Sequence, residues 1–331
     1  MRPLRNLVIS QWEAIRPVGR LPLFGGITME MWKRPKGRVP VVLDTDAYNE
    51  VDDQFAIAYL LHASDKVDLQ AIYAAPFFDE KRCFYNFKSE SAQEGMERSY
   101  QEICTLLRLA GREDMLPNVH PGAQSFMHTN GGPVSSPAVE DLITRAMEHS
   151  FEEPLYVVAI GAPTNVASAL CIAPQIAQRI IVVWLGGNVL DWPSCREFNL
   201  SQDLDASCVL FGDQVRLVQV PCMGMASAFT VTAGELKQYF LGKSPLCDYL
   251  AKTVLQDMND PDGEQLWSRI LWDVTACAWL MGEHLALDRV EQKPMPTDTV
   301  YLRRQDSTKM RYVYYIHRDA LLNDLVTRLT G

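Results

Sequence analysis

The stretch from Val41 to Leu61, VVLDTDAYNEVDDQFAIAYLL, carries five carboxylates within ten residues: Asp44, Asp46, Glu50, Asp52 and Asp53. Asp44 and Asp46 are two apart and fall on one side of an extended backbone. Asp52 and Asp53 open an apolar run, where the positive end of a helix favours negative charge. Packed together, these acids would repel one another and some would keep their protons. A divalent cation removes that conflict, and a crowded all-oxygen site suits Ca²⁺ or Mg²⁺ better than Zn²⁺. The competing reading is local: Asp52 and Asp53 only start a helix, and Asp44 and Asp46 lie in a solvated turn.

The elements that must position these acids are legible as alternating patterns. Apolar, largely β-branched runs at 39–43, 67–74, 155–160, 180–185, 215–220 and 311–316 read as strands buried on both faces. Helical patterns lie between them at 53–63, 91–110, 137–149, 164–173, 204–211 and 265–282, one of them opened by Ser136-Pro137. Strand alternating with helix predicts an α/β fold: a Rossmann-like, open, mainly parallel sheet flanked by helices. Ligands bind such sheets at the carboxyl ends of the strands, which is where Asp44 and Asp46 fall. No repeat or linker is evident, so residues 39–331 are expected to form a single domain. Residues 1–38, with Trp12, Phe24, Met29, Met31 and Trp32, read as an extension packed on it or as an oligomer contact.

Bulk properties narrow the class. The chain has 331 residues, 47% of them hydrophobic, and a net charge of -10, which argues against nucleic-acid binding. No apolar stretch is long enough for a membrane span. The eight cysteines form no C-x-x-C pair, and with no signal peptide at the start a reduced, cytoplasmic setting is expected.

With the downstream stretches included, the sequence resembles the inosine–uridine-type nucleoside hydrolase family. Members begin with a strand running into D-x-D-P-G-x-D-D; here the segment is DTDAYNEVDD, two residues longer and without Pro-Gly. Further matches are VVAIGAPTNVASAL at 157–170, LGGNVLDWPSCREFNLSQD at 185–203 and ILWDVTACAWL at 270–280. The resemblance implies hydrolysis of the N-glycosidic bond of ribonucleosides, or of a related riboside, with one Ca²⁺ per chain. Asp46, Asp53, Asp273 and the carbonyl of Ile160 would hold that ion. Ribose hydroxyls and a water held by the metal would complete about eight oxygens. Asp46 would also be the general base. Asp52, Glu197 and Asn199 would bind sugar hydroxyls, and Asp44 would orient the others from behind. The reaction would pass through an oxocarbenium-like state, which nearby carboxylates favour. A homo-oligomer, dimer or tetramer, acting in purine or pyrimidine salvage is the accompanying expectation.

The departures fall on the leaving group. Many members place His before the last Asp, to protonate the departing base; here Trp272 stands there. Ala75-Pro76-Phe77-Phe78 replaces the usual Gly-Asn at the end of a strand. Trp272 and Phe77 are candidates for stacking on a base, and His128 and Tyr48 for delivering the proton. Asn165 reads as a helix cap, and Asn188 or Asp191 as a substitute sugar ligand. Two other functions compete: a nucleoside-binding protein without turnover, and a Mg²⁺-dependent phosphohydrolase of the haloacid-dehalogenase type, which also begins strand-D-x-D.

Overall fold

The computed structural model describes residues 34–78 and 89–331. The packing expected of residues 1–33 lies outside them. At the described end of that extension, Arg34 donates to the carbonyl of Ala286 at 2.7 Å and to Asp288 at 3.1 Å, and stands over the ring of Trp279 at 5.2 Å.

In chain order the elements that carry the site are β1 (Val39–Thr45), α1 (Asp53–Leu61), β2 (Val67–Ala74), α2 (Ala92–Leu109), β3 (Val119–Pro121), α3 (Pro137–Met147), β4 (Leu155–Ala159), α4 (Thr164–Ile172) and β5 (Ile180–Leu185). They continue with α5 (Phe198–Gln202), α6 (Leu204–Leu210), β6 (Leu217–Val220), β7 (Thr230–Thr232), α7 (Pro245–Asp257), β8 (Ser268–Ile270), α8 (Val274–Met281), β9 (Ala286–Gln292), β10 (Lys309–Ile316) and α9 (Arg318–Thr330). The main sheet among the described residues runs β3-β2-β1-β4-β5-β6-β10-β9. Every pairing in it is parallel except that of β9 with β10.

Burial explains why the strands lack alternation. Val41 and Leu43 of β1 pack with α1, α2, α7, α8 and α9 on one face, while Val42 packs with α3, α4 and α6 on the other. Helices on both faces leave no wet side to mark with polar residues. Helix α1 is buried along its whole length and accordingly apolar all round.

The strand order reverses direction between β1 and β4, the first strand lying beside both β2 and β4. At such a switch point the flanking loops diverge and leave a crevice at the carboxyl ends of the strands. The loops after β1 and β4 therefore form its floor.

One predicted element is corrected. The apolar pattern over 265–282 is not a single helix: Ser268–Ile270 is a strand paired antiparallel with Thr230–Thr232, and the helix begins only at Val274. A short buried strand followed by a buried helix reads as one apolar run. As a result Asp273 stands at the start of α8, not within it.

Candidate active site

A cavity of about 240 Å³ opens at this crevice. Asp46, Asn49, Glu50, Asp52 and Asp53 come from the β1–α1 loop, Ile160 from the end of β4, and Leu185 from the end of β5. Asn188, Arg196, Glu197, Phe198 and Asn199 come from the segment after β5, Cys222 and Met223 from the segment after β6, and Trp272 and Asp273 from the start of α8. Five stretches far apart in sequence thus converge, and six carboxylates face one space.

Asp52 and Asp273 each occupy the cap position of a helix, yet neither side chain caps its own helix. Asp52 instead accepts the backbone N–H of Asp273 at 3.3 Å. Two helix N-termini therefore meet at one point, and both dipoles favour anions there. Oxygens of Asp52, Asp53 and Asp273 all lie within 4.8 Å of one another. Asp53 is fixed by the Thr45 hydroxyl, which donates to it. Asp46 accepts from the Asn49 amide at 3.2 Å. Behind the cavity, Asp44 is fully buried and accepts from the Asn165 amide at 2.7 Å, while its second oxygen has no partner among the described residues.

Burial is the main force on these acids. It pushes the carboxyl of Asp52 up to about 7, with Glu50 adding to the rise and Arg269 opposing it. Asp44 is pushed up to about 7 by burial against the hydrogen bond from Asn165. Asp46, Asp53 and Asp273 are raised well above the carboxylate range, first by burial and then by neighbouring carboxylates, Asp52 acting on all three. Without a cation the cluster would have to hold protons, whereas a divalent ion would let it ionise. The donor set fits such an ion: hard carboxylate oxygens, closely spaced and dry, with a carbonyl nearby.

The residues singled out from sequence divide into those inside the cavity and those outside it. Asp46, Asp52, Asp53, Ile160, Glu197, Asn199, Trp272 and Asp273 line it, and Asp44 stands behind it. The tightest trio includes Asp52, expected on the sugar, and not Asp46. The carbonyl of Ile160 already accepts from the Asn199 amide at 2.9 Å, leaving it one further lone pair. Glu197 caps α5, accepting backbone N–H groups from Gly187 at 2.8 Å, Asn199 at 2.9 Å and Leu200 at 3.1 Å. The Asn188 amide donates to the carbonyls of Ser194 and Arg196, both at 3.0 Å, while Asp191 is exposed and outside the lining.

Three residues considered for the base half stand elsewhere. Phe77 is buried core. Tyr48, at φ 82°, faces a separate groove with Glu94, Arg98 and Glu102, its ring 5.5 Å from the Arg98 guanidinium. His128 stacks on Phe126 at 5.6 Å, with Nδ1 3.5 Å from Asp203. Asn165 is not a helix cap: it bridges Asp44 and the backbone N–H of Ala123. Sequence reasoning missed Arg269, which donates to Glu50 at 2.9 Å and lies 3.2 Å from Asp257, tying the acidic loop to α7. Nothing local in the sequence pairs residues 219 apart. It also missed Cys222, whose thiol lies against Glu197.

Comparison with known proteins settles the family. The family model for inosine-uridine preferring nucleoside hydrolases matches residues 92–320. The chain belongs to that family. Asp273, Glu197 and Asn199 lie inside the matched stretch, and the fold joins the Asp44–Asp53 loop to them. The chain is 25% identical over 273 residues to the pyrimidine-specific ribonucleoside hydrolase RihA of Citrobacter koseri, covering 75% of this chain and 80% of that enzyme. It is 27% identical over 197 residues to the non-specific ribonucleoside hydrolase RihC of Escherichia coli, 55% of this chain and 60% of that one. The fold is shared with the plant nucleoside hydrolase PpNRh1, at TM-score 0.68 and 19% identity over 88% of this chain and 99% of that one. It is also shared with the purine-preferring ribonucleoside hydrolase from Gardnerella vaginalis, at TM-score 0.65 and 22% identity over 88% and 98%. These relatives are hydrolases of the N-glycosyl class.

Proposed function

We propose that the chain is a Ca²⁺-dependent hydrolase that cleaves the N-glycosidic bond of a ribonucleoside, or of a related riboside, to ribose and free base. The observation that carries this reading is the meeting of Asp52, Asp53 and Asp273 within 4.8 Å at two helix N-termini, with Asp46 on the same cavity wall. Asp53 and Asp273, with Asp46 and the remaining lone pair of Ile160, would hold the ion, and Asp52 stands close enough to share that task or to take a ribose hydroxyl. A bound Ca²⁺ would orient the ribose hydroxyls and lower the pKa of water in the site.

The chain's own residues do the rest. Asp46 takes the proton of the attacking water, and the Asn49 amide at 3.2 Å holds its carboxylate in place. Ionised carboxylates beneath the sugar favour the positive charge that develops at C1′ as the bond to the base breaks. Trp272 supplies an apolar wall for the base. Among the described residues no His lines the cavity. Membership of the family removes the phosphohydrolase alternative. Residues 39–331 are read as one catalytic domain, and a homo-oligomer acting in nucleoside salvage in the cytoplasm is part of the proposal. The described cysteines are free thiols, in keeping with a reducing compartment.

The test is release of reducing sugar from a panel of ribonucleosides by chelator-treated protein, with and without added Ca²⁺. Calcium-dependent release from at least one nucleoside is expected. Tight nucleoside binding without release would overturn hydrolysis in favour of a binding protein.

A further inference from the structure

Arg196 is the only basic residue lining the cavity among the described residues, against six carboxylates. It is exposed, and its guanidinium makes no hydrogen bond or ion pair with any described residue. Its backbone, by contrast, is clamped. Its N–H donates to the Ser194 hydroxyl at 3.1 Å, and its carbonyl accepts from the Asn188 amide at 3.0 Å. Asn188 is itself held by the N–H of Met223 at 3.1 Å. The side chain therefore starts from a fixed point on the cavity wall and ends free.

The neighbouring residue is the reverse. Glu197 receives three backbone N–H groups, and the Cys222 thiol lies against it. A carboxylate offers about four acceptor sites, so Glu197 has at most one left for a ligand hydroxyl. This part of the wall, where the family resemblance implies recognition of the remaining sugar hydroxyl, thus presents a charged donor fork and a nearly saturated acceptor. A neutral hydroxyl needs an acceptor for its proton. An anionic oxygen needs donors, and a guanidinium meets it with two parallel hydrogen bonds.

We propose that Arg196 sets substrate specificity by binding an anionic substituent, a phosphate or carboxylate, carried at the 5′ position of the riboside. This rests on the hydrolase reading, in which the 2′ and 3′ hydroxyls sit at the acidic floor and the 5′ end faces this wall. The negative floor does not forbid an anion at the rim. A divalent ion offsets two of its charges, and Arg196 is exposed, so that solvent screens the rest.

The test compares uridine, uridine 5′-monophosphate and uridine 5′-carboxylate at fixed, saturating free Ca²⁺. Binding is measured by calorimetry in the Asp46→Asn background, so that turnover does not interfere, and turnover is measured in the parent. At least one anionic ligand is expected to bind tenfold or more tighter than uridine, the scale of a charge-assisted pair. Which of the two gains identifies the group as phosphate or carboxylate. Adding Arg196→Ala should bring the ratio of anionic to neutral affinity to about one, and Arg196→Lys should restore part of it. Arg196 is exposed, so folding is not at risk, and circular dichroism checks this. Equal affinity for all three ligands, or a ratio that Arg196→Ala leaves unmoved, overturns the proposal. If the ratio holds while no ligand is hydrolysed, the hydrolase reading falls and the anion site stands. If uridine is hydrolysed but the ratio is one, only the anion site falls.

Discussion

Replacing Asp53 with Asn tests whether the buried trio is built for a cation. Asn keeps the side-chain shape and an oxygen to accept the Thr45 hydroxyl, but removes the charge. Two unit charges 4.8 Å apart repel by about 3.5 kcal/mol at an effective dielectric constant of about 20. Asp53 faces two such neighbours, Asp52 and Asp273. Without a cation the protein escapes part of this repulsion by holding protons, so the net gain on neutralising Asp53 should be smaller, about 1–3 kcal/mol. For a chain of this length that is a rise of roughly 1–4 °C in Tm. In calcium the order should reverse. An ion at a hundred times its Kd stabilises the parent by about 2.7 kcal/mol, and the variant should lose most of that. Differential scanning calorimetry of both proteins, in chelator and in saturating Ca²⁺, measures all four values. A variant less stable than the parent in chelator, or an undiminished calcium-dependent rise in the variant, would refute the reasoning.

Other outcomes follow from the same geometry. Asp46→Asn should keep the fold but cut turnover by about 10² or more, the scale of general acid–base catalysis, with metal content measured alongside; full turnover would remove Asp46 from the mechanism. A Cβ added at Gly161 would sit 2.9 Å from an oxygen of Asp46, so Gly161→Ala should displace that carboxylate and lower kcat while circular dichroism stays unchanged; an unaltered kcat would show that the position of Asp46 is not critical. Lys293 is fully buried and donates to the carbonyls of Gly212 and Val215, and burial pulls its ammonium down to about 7 from 10.5. Between those values the unfolded chain holds a proton that the folded one has released. Parent stability relative to Lys293→Met should therefore rise with pH across that window, by up to about 1.4 kcal/mol per unit, in urea titrations. A flat difference would mean that the two carbonyls keep the ammonium charged.

Much of this was legible in the sequence because the relevant signals are local. Two-residue spacing of Asp44 and Asp46 at the end of a β-branched run, followed by an apolar helix, marks a strand-end site whatever lies around it. Strands buried on both faces announce themselves as continuous apolar runs, as β1, β4 and β5 do. The edge strand β9, ALDRVEQ, does not, because it is half exposed and charged. Helix α7 carries the same Ser-Pro opening as α3, at Ser244-Pro245, a local start signal of the same kind. Asp273 was identified by type but misplaced within its element, because a short strand and a helix of equal apolarity merge in one dimension. His128 and Tyr48 show the opposite limit. Their side-chain types suit proton transfer, but which groove a loop faces is set by contacts such as His128 with Asp203, 75 residues away. The same holds for Arg269 with Glu50.

The most direct test follows both products of one nucleoside by chromatography, in the parent with Ca²⁺, in the parent with chelator, and in Asp46→Asn with Ca²⁺. The account predicts ribose and free base in equal amounts from the calcium-loaded parent, with both falling together under chelation and in the variant. Undiminished ribose and base after complete removal of the metal, or from the variant, would contradict it.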